Sequence, residues 1–177
     1  MQIQALLTTL LLATGAVAAP AESCMTKGSK VSSWKVYDFT YEAAHAYSSP
    51  TKSTYWSKAT FSLENPVLSY KAKCKGSSKS KDYLNGKATY TCTSKNGDEA
   101  TFTYNHKTGK LAIDQGWSCV AEGGSFMAKG SKTLKLSCED SVYKTQDKGK
   151  STKTSHRVTT CKPLTVKVPI TDISAIL

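Results

Sequence analysis

Apolar and polar residues alternate along most of this chain with a period of two, the spacing of a half-buried β-strand. Between residues 55 and 64, Tyr55, Ala59, Phe61 and Leu63 point one way; Trp56, Lys58, Thr60, Ser62 and Glu64 point the other. Leu68, Tyr70, Ala72 and Cys74 repeat the pattern, as do Ala88, Tyr90 and Cys92, then Ala100, Phe102 and Tyr104. Leu111 and Ile113 lead to Trp117 and Cys119; Leu134, Leu136 and Cys138 follow; Leu164, Val166, Val168 and Ile170 close the series. Pro169 falls on the outward set of the last run, where a residue without an N–H suits a sheet edge or a strand end.

Turn signals separate these runs. Asn85-Gly86 and Asn96-Gly97 favour the positive backbone angles of tight hairpins, and Thr108-Gly109 and Gly123-Gly124 serve the same purpose later. About ten short strands with regular turns predict an all-β fold, a compact antiparallel β-barrel or sandwich. A single short helix is expected over residues 41–47, around Glu42-Ala43-Ala44-His45. No internal repeat or linker interrupts the pattern, so residues 19–177 read as one domain with a lysine-rich loop at about 144–155.

Residues 1–18 differ in kind. They hold no charged side chain, an apolar stretch from Ala5 to Leu12, and then Ala16-Val17-Ala18, a small-x-small cleavage pattern. This reads as a secretory signal peptide, too short to span a bilayer. No other apolar segment is long enough for a transmembrane helix, and the expected location is extracellular. In an oxidising compartment, Cys24, Cys74, Cys92, Cys119, Cys138 and Cys161 are candidates for disulfides. Six cysteines allow 15 connectivities, and the sequence does not choose among them. Local pairing would join Cys74 to Cys92 and Cys119 to Cys138. Cys24 and Cys161 would then either tie the N-terminal arm to the last strands, or leave Cys24 to bridge two protomers. The first favours a monomer, the second a homodimer.

The net charge is +11, from 24 basic and 13 acidic residues, and Arg157 is the only arginine. Lysine is a hydrated point charge, whereas arginine is the fork that reads phosphates and bases bidentately. The excess therefore favours loose attraction to an anionic partner, whether an acidic host protein, an anionic cell-wall surface or acidic lipid, over sequence-specific nucleic-acid binding. Lysines gather in two places: Lys71, Lys73, Lys75, Lys79, Lys81 and Lys87, and then Lys144, Lys148, Lys150, Lys153, Arg157 and Lys162. Each is a docking surface for an anionic partner or a solvated face. Trp56 lies on the polar side of its run, so it is either an exposed interface anchor or covered by a neighbouring segment. Trp117 shares its face with Cys119 and is expected in the core.

Candidate chemistry is sparse. No Cys-x-x-Cys or His-Glu-x-x-His spacing suggests a metal, and no Gly-x-Ser-x-Gly elbow suggests a serine nucleophile. No cofactor is implied. A small secreted ribonuclease would need a base, an acid and a cation at the phosphate. His106, His156, Arg157 and one of Glu64, Glu99 or Glu122 are the residues of those types. His106 in a turn and His156 beside lysines read more simply as solvated surface groups.

One set of residues carries a family resemblance. Trp34-Lys35-Val36-Tyr37-Asp38-Phe39 follows Cys24; then come Cys74, Tyr90-Thr91-Cys92, Phe102-Thr103-Tyr104 leading to Thr108-Gly109-Lys110-Leu111, and two further cysteines. Over roughly residues 24–138 this resembles the Alternaria major allergen family of fungal secreted proteins, which includes plant-immunity elicitors and virulence effectors. The resemblance implies a β-barrel without enzymatic activity that binds a host extracellular or defence protein. It also implies bridges Cys74–Cys92 and Cys119–Cys138 and, in some members, dimerisation through the position of Cys24. Cys161 and the lysine-rich extension after Cys138 depart from the pattern. The expected function is that of a secreted effector, elicitor or allergen-like protein; the alternative is a secreted basic toxin or antifungal protein with ribonuclease activity.

Overall fold

A computed structural model describes residues 22–49, 52–94, 99–146 and 153–176. Residues 1–18, expected to be a signal peptide, the expected turn at Asn96-Gly97, Lys148 and Lys150 lie outside the described residues. A short helix, α1 (Cys24–Lys30), precedes ten strands: β1 (Ser33–Ser49), β2 (Lys52–Glu64), β3 (Lys71–Ser78), β4 (Tyr90–Thr93), β5 (Ala100–Asn105), β6 (Lys110–Cys119), β7 (Gly124–Thr133), β8 (Cys138–Gln146), β9 (Lys153–Cys161) and β10 (Leu164–Ile176).

Eight of these strands close into an antiparallel barrel in the order β10-β7-β6-β5-β4-β3-β2-β1, with β1 returning to β10. Strands β9 and β8 extend the sheet beyond β1. The long strand β1 makes this possible. Ser33–Phe39 pairs with β10, whereas Glu42–Tyr47 pairs with β9, and β2 runs beside both halves. The register slips between Val36 and Phe39 on one side and between Tyr37 and Thr40 on the other. Asp38 sits at this bulge with a φ of 51°, a left-handed conformation that aspartate tolerates better than most side chains. The strand bends there and leaves the barrel for the extension. β10 performs the matching exchange: Pro169, opposite Ser33, is its last residue paired with β1, and from Ile170 onward it pairs with β7. Proline therefore stands in the middle of β10, where the strand changes neighbour, and not at the edge or strand end that its missing N–H suggested.

Alternation fills the barrel. Trp34, Val36 and Phe39 of β1 meet Phe61 and Leu63 of β2, Phe102 and Tyr104 of β5, Leu111, Ile113 and Trp117 of β6, Phe126 of β7 and Val168 of β10, all buried. Phe39 packs on Phe61 at 5.6 Å and on Tyr104 at 4.9 Å, and Phe61 meets Phe102 edge-on at 4.9 Å. Each such side chain contributes roughly 1.5–3 kcal/mol through burial. The buried amide of Asn65 donates to Gln115 Oε1 at 3.1 Å, while Asn65 Oδ1 accepts from Val67 N at 3.0 Å. α1 covers one edge of the β6–β7 hairpin. Its N-cap Ser23 accepts from Thr26 N at 3.2 Å, and Gly28 lies directly on the Phe126 ring, where a Cβ would collide.

Four expectations are corrected. Residues 41–47 form strand, not helix: pairing with β2 on one side and β9 on the other outweighs the helix propensity of Glu42-Ala43-Ala44. Leu68 and Tyr70 precede β3, and Leu134 and Leu136 occupy a connection in which Leu134 is nevertheless buried. Cys119 does not pair with Cys138, nor Cys24 with Cys161. Instead Cys24 joins Cys119, Cys74 joins Cys92, and Cys138 joins Cys161. Cys138 is exposed at the start of β8, directly opposite Cys161 on β9, whereas Cys119 ends β6 inside the barrel beneath α1. Finally, the described ends of the lysine-rich segment are strand and not loop, since β8 and β9 pair from Cys138 opposite Cys161 to Gln146 opposite Lys153; residues 147–152 lie outside the described residues.

Two outcomes test this architecture. Proteolysis without reductant should yield linked peptides containing Cys24 with Cys119 and Cys138 with Cys161; a peptide joining Cys119 to Cys138 would contradict the pairing. Gly130→Ala would drive a Cβ into Pro169 O and the Trp34 ring at the strand exchange. Thermal unfolding should register the overpacking as a loss of about 1–3 kcal/mol.

Candidate functional site

Register divides the side chains of the extension between two faces. Residues directly opposite in an antiparallel sheet share a face. Tyr41, His45 and Tyr47 on β1 therefore lie with Tyr55 and Ser57 on β2 and with Arg157 and Thr159 on β9. Here His45 packs between Tyr47 at 3.9 Å and Tyr55 at 4.1 Å. Tyr55 meets Tyr83, from the β3–β4 connection, at 6.0 Å; Tyr83 meets His106 at 5.4 Å; and His106 lies parallel to Tyr41 at 6.0 Å. His106 Nδ1 is 2.9 Å from Leu84 O, and since a carbonyl only accepts, Nδ1 carries the proton and donates. Thr159 Oγ1 donates to Asp140 Oδ1 at 2.6 Å.

Burial dominates the electrostatics of this cluster. It pushes the Tyr41 phenol well above its usual range, with Tyr104 and Tyr83 adding to the rise. Ser57 beside it offsets this slightly, although neither Tyr41 Oη nor Ser57 Oγ closes a hydrogen bond of good geometry among the described residues. Burial likewise raises Tyr104 to about 12. Tyr83 is also raised, by burial and then by Tyr55 and Tyr47, with Arg157 acting in the opposite direction.

The residues nominated for ribonuclease chemistry are divided. His106 and Arg157 reach the aromatic cluster, together with His45, whose place in the expected helix had hidden its alternation. His156 projects from the opposite face of β9. Glu64 is held by Lys71 at 2.8 Å, whose hydrogen bond keeps its carboxyl below the ordinary range. Glu122 accepts from Cys24 N at 3.1 Å, and Glu99 is exposed ahead of β5. The tight grouping of Cys24, Cys119 and Glu122 has metal-ligand atom types, but both sulfurs are committed to a disulfide.

The opposite face of the extension is built differently. Trp56 is directly across from Ala44, which faces Val158; one step along, Thr54, Ala46, His156 and Tyr143 form the next row. Trp56 is 39% exposed and Tyr143 60% exposed. Ala44 and Ala46 of β1 and Val158 and His156 of β9 lie between them, and both aromatic side chains are exposed on this one sheet face. Trp56 was readable from its polar register. Tyr143 was missed because the polar run after Cys138 shows no apolar alternation to announce a strand.

The first lysine group is a stripe. Lys71, Lys73 and Lys75 all project outward from β3, and Lys79 and Lys81 continue into the next connection. Lys71 is engaged at one end: Glu64 accepts from it, and its ammonium lies 3.7 Å above the Tyr37 ring. The hydrogen bond to Glu64 raises the Lys71 pKa. The second group is dispersed. Lys144 is exposed on β8, Lys153 begins β9, and Lys162 approaches Glu139 at 3.5 Å.

Comparison with known proteins gives one match. The family model described as Alternaria alternata allergen 1 covers residues 36–161. No curated protein and no solved structure matches the chain.

The raised tyrosines set an alkaline limit. A phenol at about 12 in the folded state and 10.0 unfolded contributes stability that is complete below pH 10 and is lost as pH rises through 12. Chemical denaturation across that interval should show stability falling with pH, and Tyr104→Phe should flatten the slope. An unchanged slope in the variant would mean that Tyr104 is not the group responsible.

Proposed function

The chain belongs to the Alternaria alternata allergen 1 family, and on that premise we propose that it is an exported effector or elicitor that binds a plant defence protein and catalyses no reaction. Three disulfides suit an oxidising, extracellular setting. No helix among the described residues is long and apolar enough to cross a membrane.

The observation that carries the reading is the pair Trp56 and Tyr143, exposed on one face of a sheet braced against the barrel. Aromatic anchors on a preorganised flat surface contribute most of the binding energy in many protein–protein contacts. Such residues lose little conformational freedom on association because the sheet already orders their backbone. The ribonuclease alternative draws less support: His106 and Arg157 approach one cluster, but His156 is on the opposite face of β9, Glu64 is paired with Lys71, and Glu99 and Glu122 belong to other elements.

Infiltration of purified protein into leaves should alter the defence response, and Trp56→Ala with Tyr143→Ala should remove that effect. Affinity for a host protein captured from extracellular fluid should fall by about 30-fold, the equivalent of roughly 2 kcal/mol at an interface anchor. Tyr143→Ala should change the stability of the fold by no more than about 0.5 kcal/mol; Trp56→Ala, at a side chain only 39% exposed, should cost more, and circular dichroism establishes that the double variant folds. RNA incubated with the protein should remain intact. Degradation that disappears in His106→Ala or His156→Ala would replace this proposal with the enzymatic one.

A further inference from the structure

Two of the three β3 lysines, Lys73 and Lys75, line a groove with a distinctive chemistry. Lys71, Lys73 and Lys75 project outward at every second residue, which spaces them by about 6.6 Å along the strand. Thr60 and Ser62 of β2 form one wall and Thr91 and Thr93 of β4 the other, around an open groove of about 490 Å³ that contains Lys73 and Lys75. Lys73 Nζ donates to Ser62 Oγ at 3.1 Å, and Lys75 has no ion pair among the described residues. The groove also includes one carboxylate, Asp38.

We propose that this groove binds a linear acidic polysaccharide, a polyuronate, laid along β3. A polymer bearing a carboxylate on each sugar presents charge repeatedly to a row of ammonium groups. Hydroxyls on both walls can donate to and accept from the sugar hydroxyls between those charges. Lysine attracts a carboxylate without fixing its orientation, and a row of them tolerates sliding of the chain. The guanidinium fork that grips phosphate is absent from the groove, because Arg157 lies on β9. No exposed aromatic lines the groove, so it offers neither a stacking platform for bases nor a wedge for lipid. The proposal uses other side chains than Trp56 and Tyr143, and each reading can fail without the other.

The test is binding of the full protein to sodium polygalacturonate at physiological ionic strength, with fully methyl-esterified polygalacturonate as the uncharged form of the same polymer. Heparin supplies a sulfated polymer of different charge geometry. Lys73→Glu with Lys75→Glu should weaken binding to polygalacturonate by at least about tenfold. Lys107→Glu with Lys135→Glu makes the same change in net charge at two exposed positions outside the groove and should weaken it by less than about threefold. The esterified polymer should not bind, and heparin should bind less tightly. Equal losses in the two double variants would reduce the effect to net charge and overturn the proposal. So would retention of the esterified polymer, tighter binding of heparin, or no binding of polygalacturonate. Circular dichroism establishes that the variants fold; if the glutamate pair does not, Lys73→Gln with Lys75→Gln carries the same expectation.

Discussion

Everything in this protein hangs on the bend in β1. One strand has to hydrogen-bond with β10 to close the barrel and with β9 to build the extension, and it cannot do both in a straight line. The bulge at Asp38 resolves the conflict by shifting register toward both neighbours within a few residues. Upstream of it, Trp34 and Val36 point into the barrel. Downstream, Tyr41 and His45 pack with aromatic side chains where the extension meets the β3–β4 connection. Because β2 follows β1 through the bend, the two halves form a single braced sheet, and Trp56 is presented by a backbone tied to the barrel.

Much of this was legible in the chain. Period-two alternation marks β2, β5 and β6 almost residue by residue, since their inner faces are mainly apolar, with Ser57 on β2 and Gln115 on β6 as the buried polar exceptions. The Gly109 turn was legible for the same local reason: its φ of 71° is one that glycine adopts without steric cost. Trp56 could be assigned to the outer face from register alone.

What escaped has a common cause, which is that it depends on contacts distant in sequence. Glu42-Ala43-Ala44 favours a helix in isolation and becomes strand only because β2 and β9 flank it. Cys24 and Cys119 are 95 residues apart, and nothing local indicates that α1 covers the end of β6. Cys138 was assigned to an apolar strand face because Leu134 and Leu136 precede it. The chain instead turns between Leu134 and Cys138, and the cysteine starts a polar hairpin. That hairpin has no apolar face of the usual kind, so Tyr143 and the neighbourhood of Arg157 emerge only from pairing. The lysine stripe was visible as a cluster, but its alignment in a groove follows from β3 lying between two strands with outward hydroxyls.

Closure also has a direction in time. The cylinder is sealed by β1 and β10, the earliest and latest strands in the described chain. During synthesis β1 can pair with β2 within a few dozen residues, yet the other edge of its Ser33–Phe39 half stays vacant until residues 164–169 have been made. A nascent barrel is thus an open, curled sheet with exposed apolar lining, and its final seam forms only after nearly all of the polypeptide has emerged.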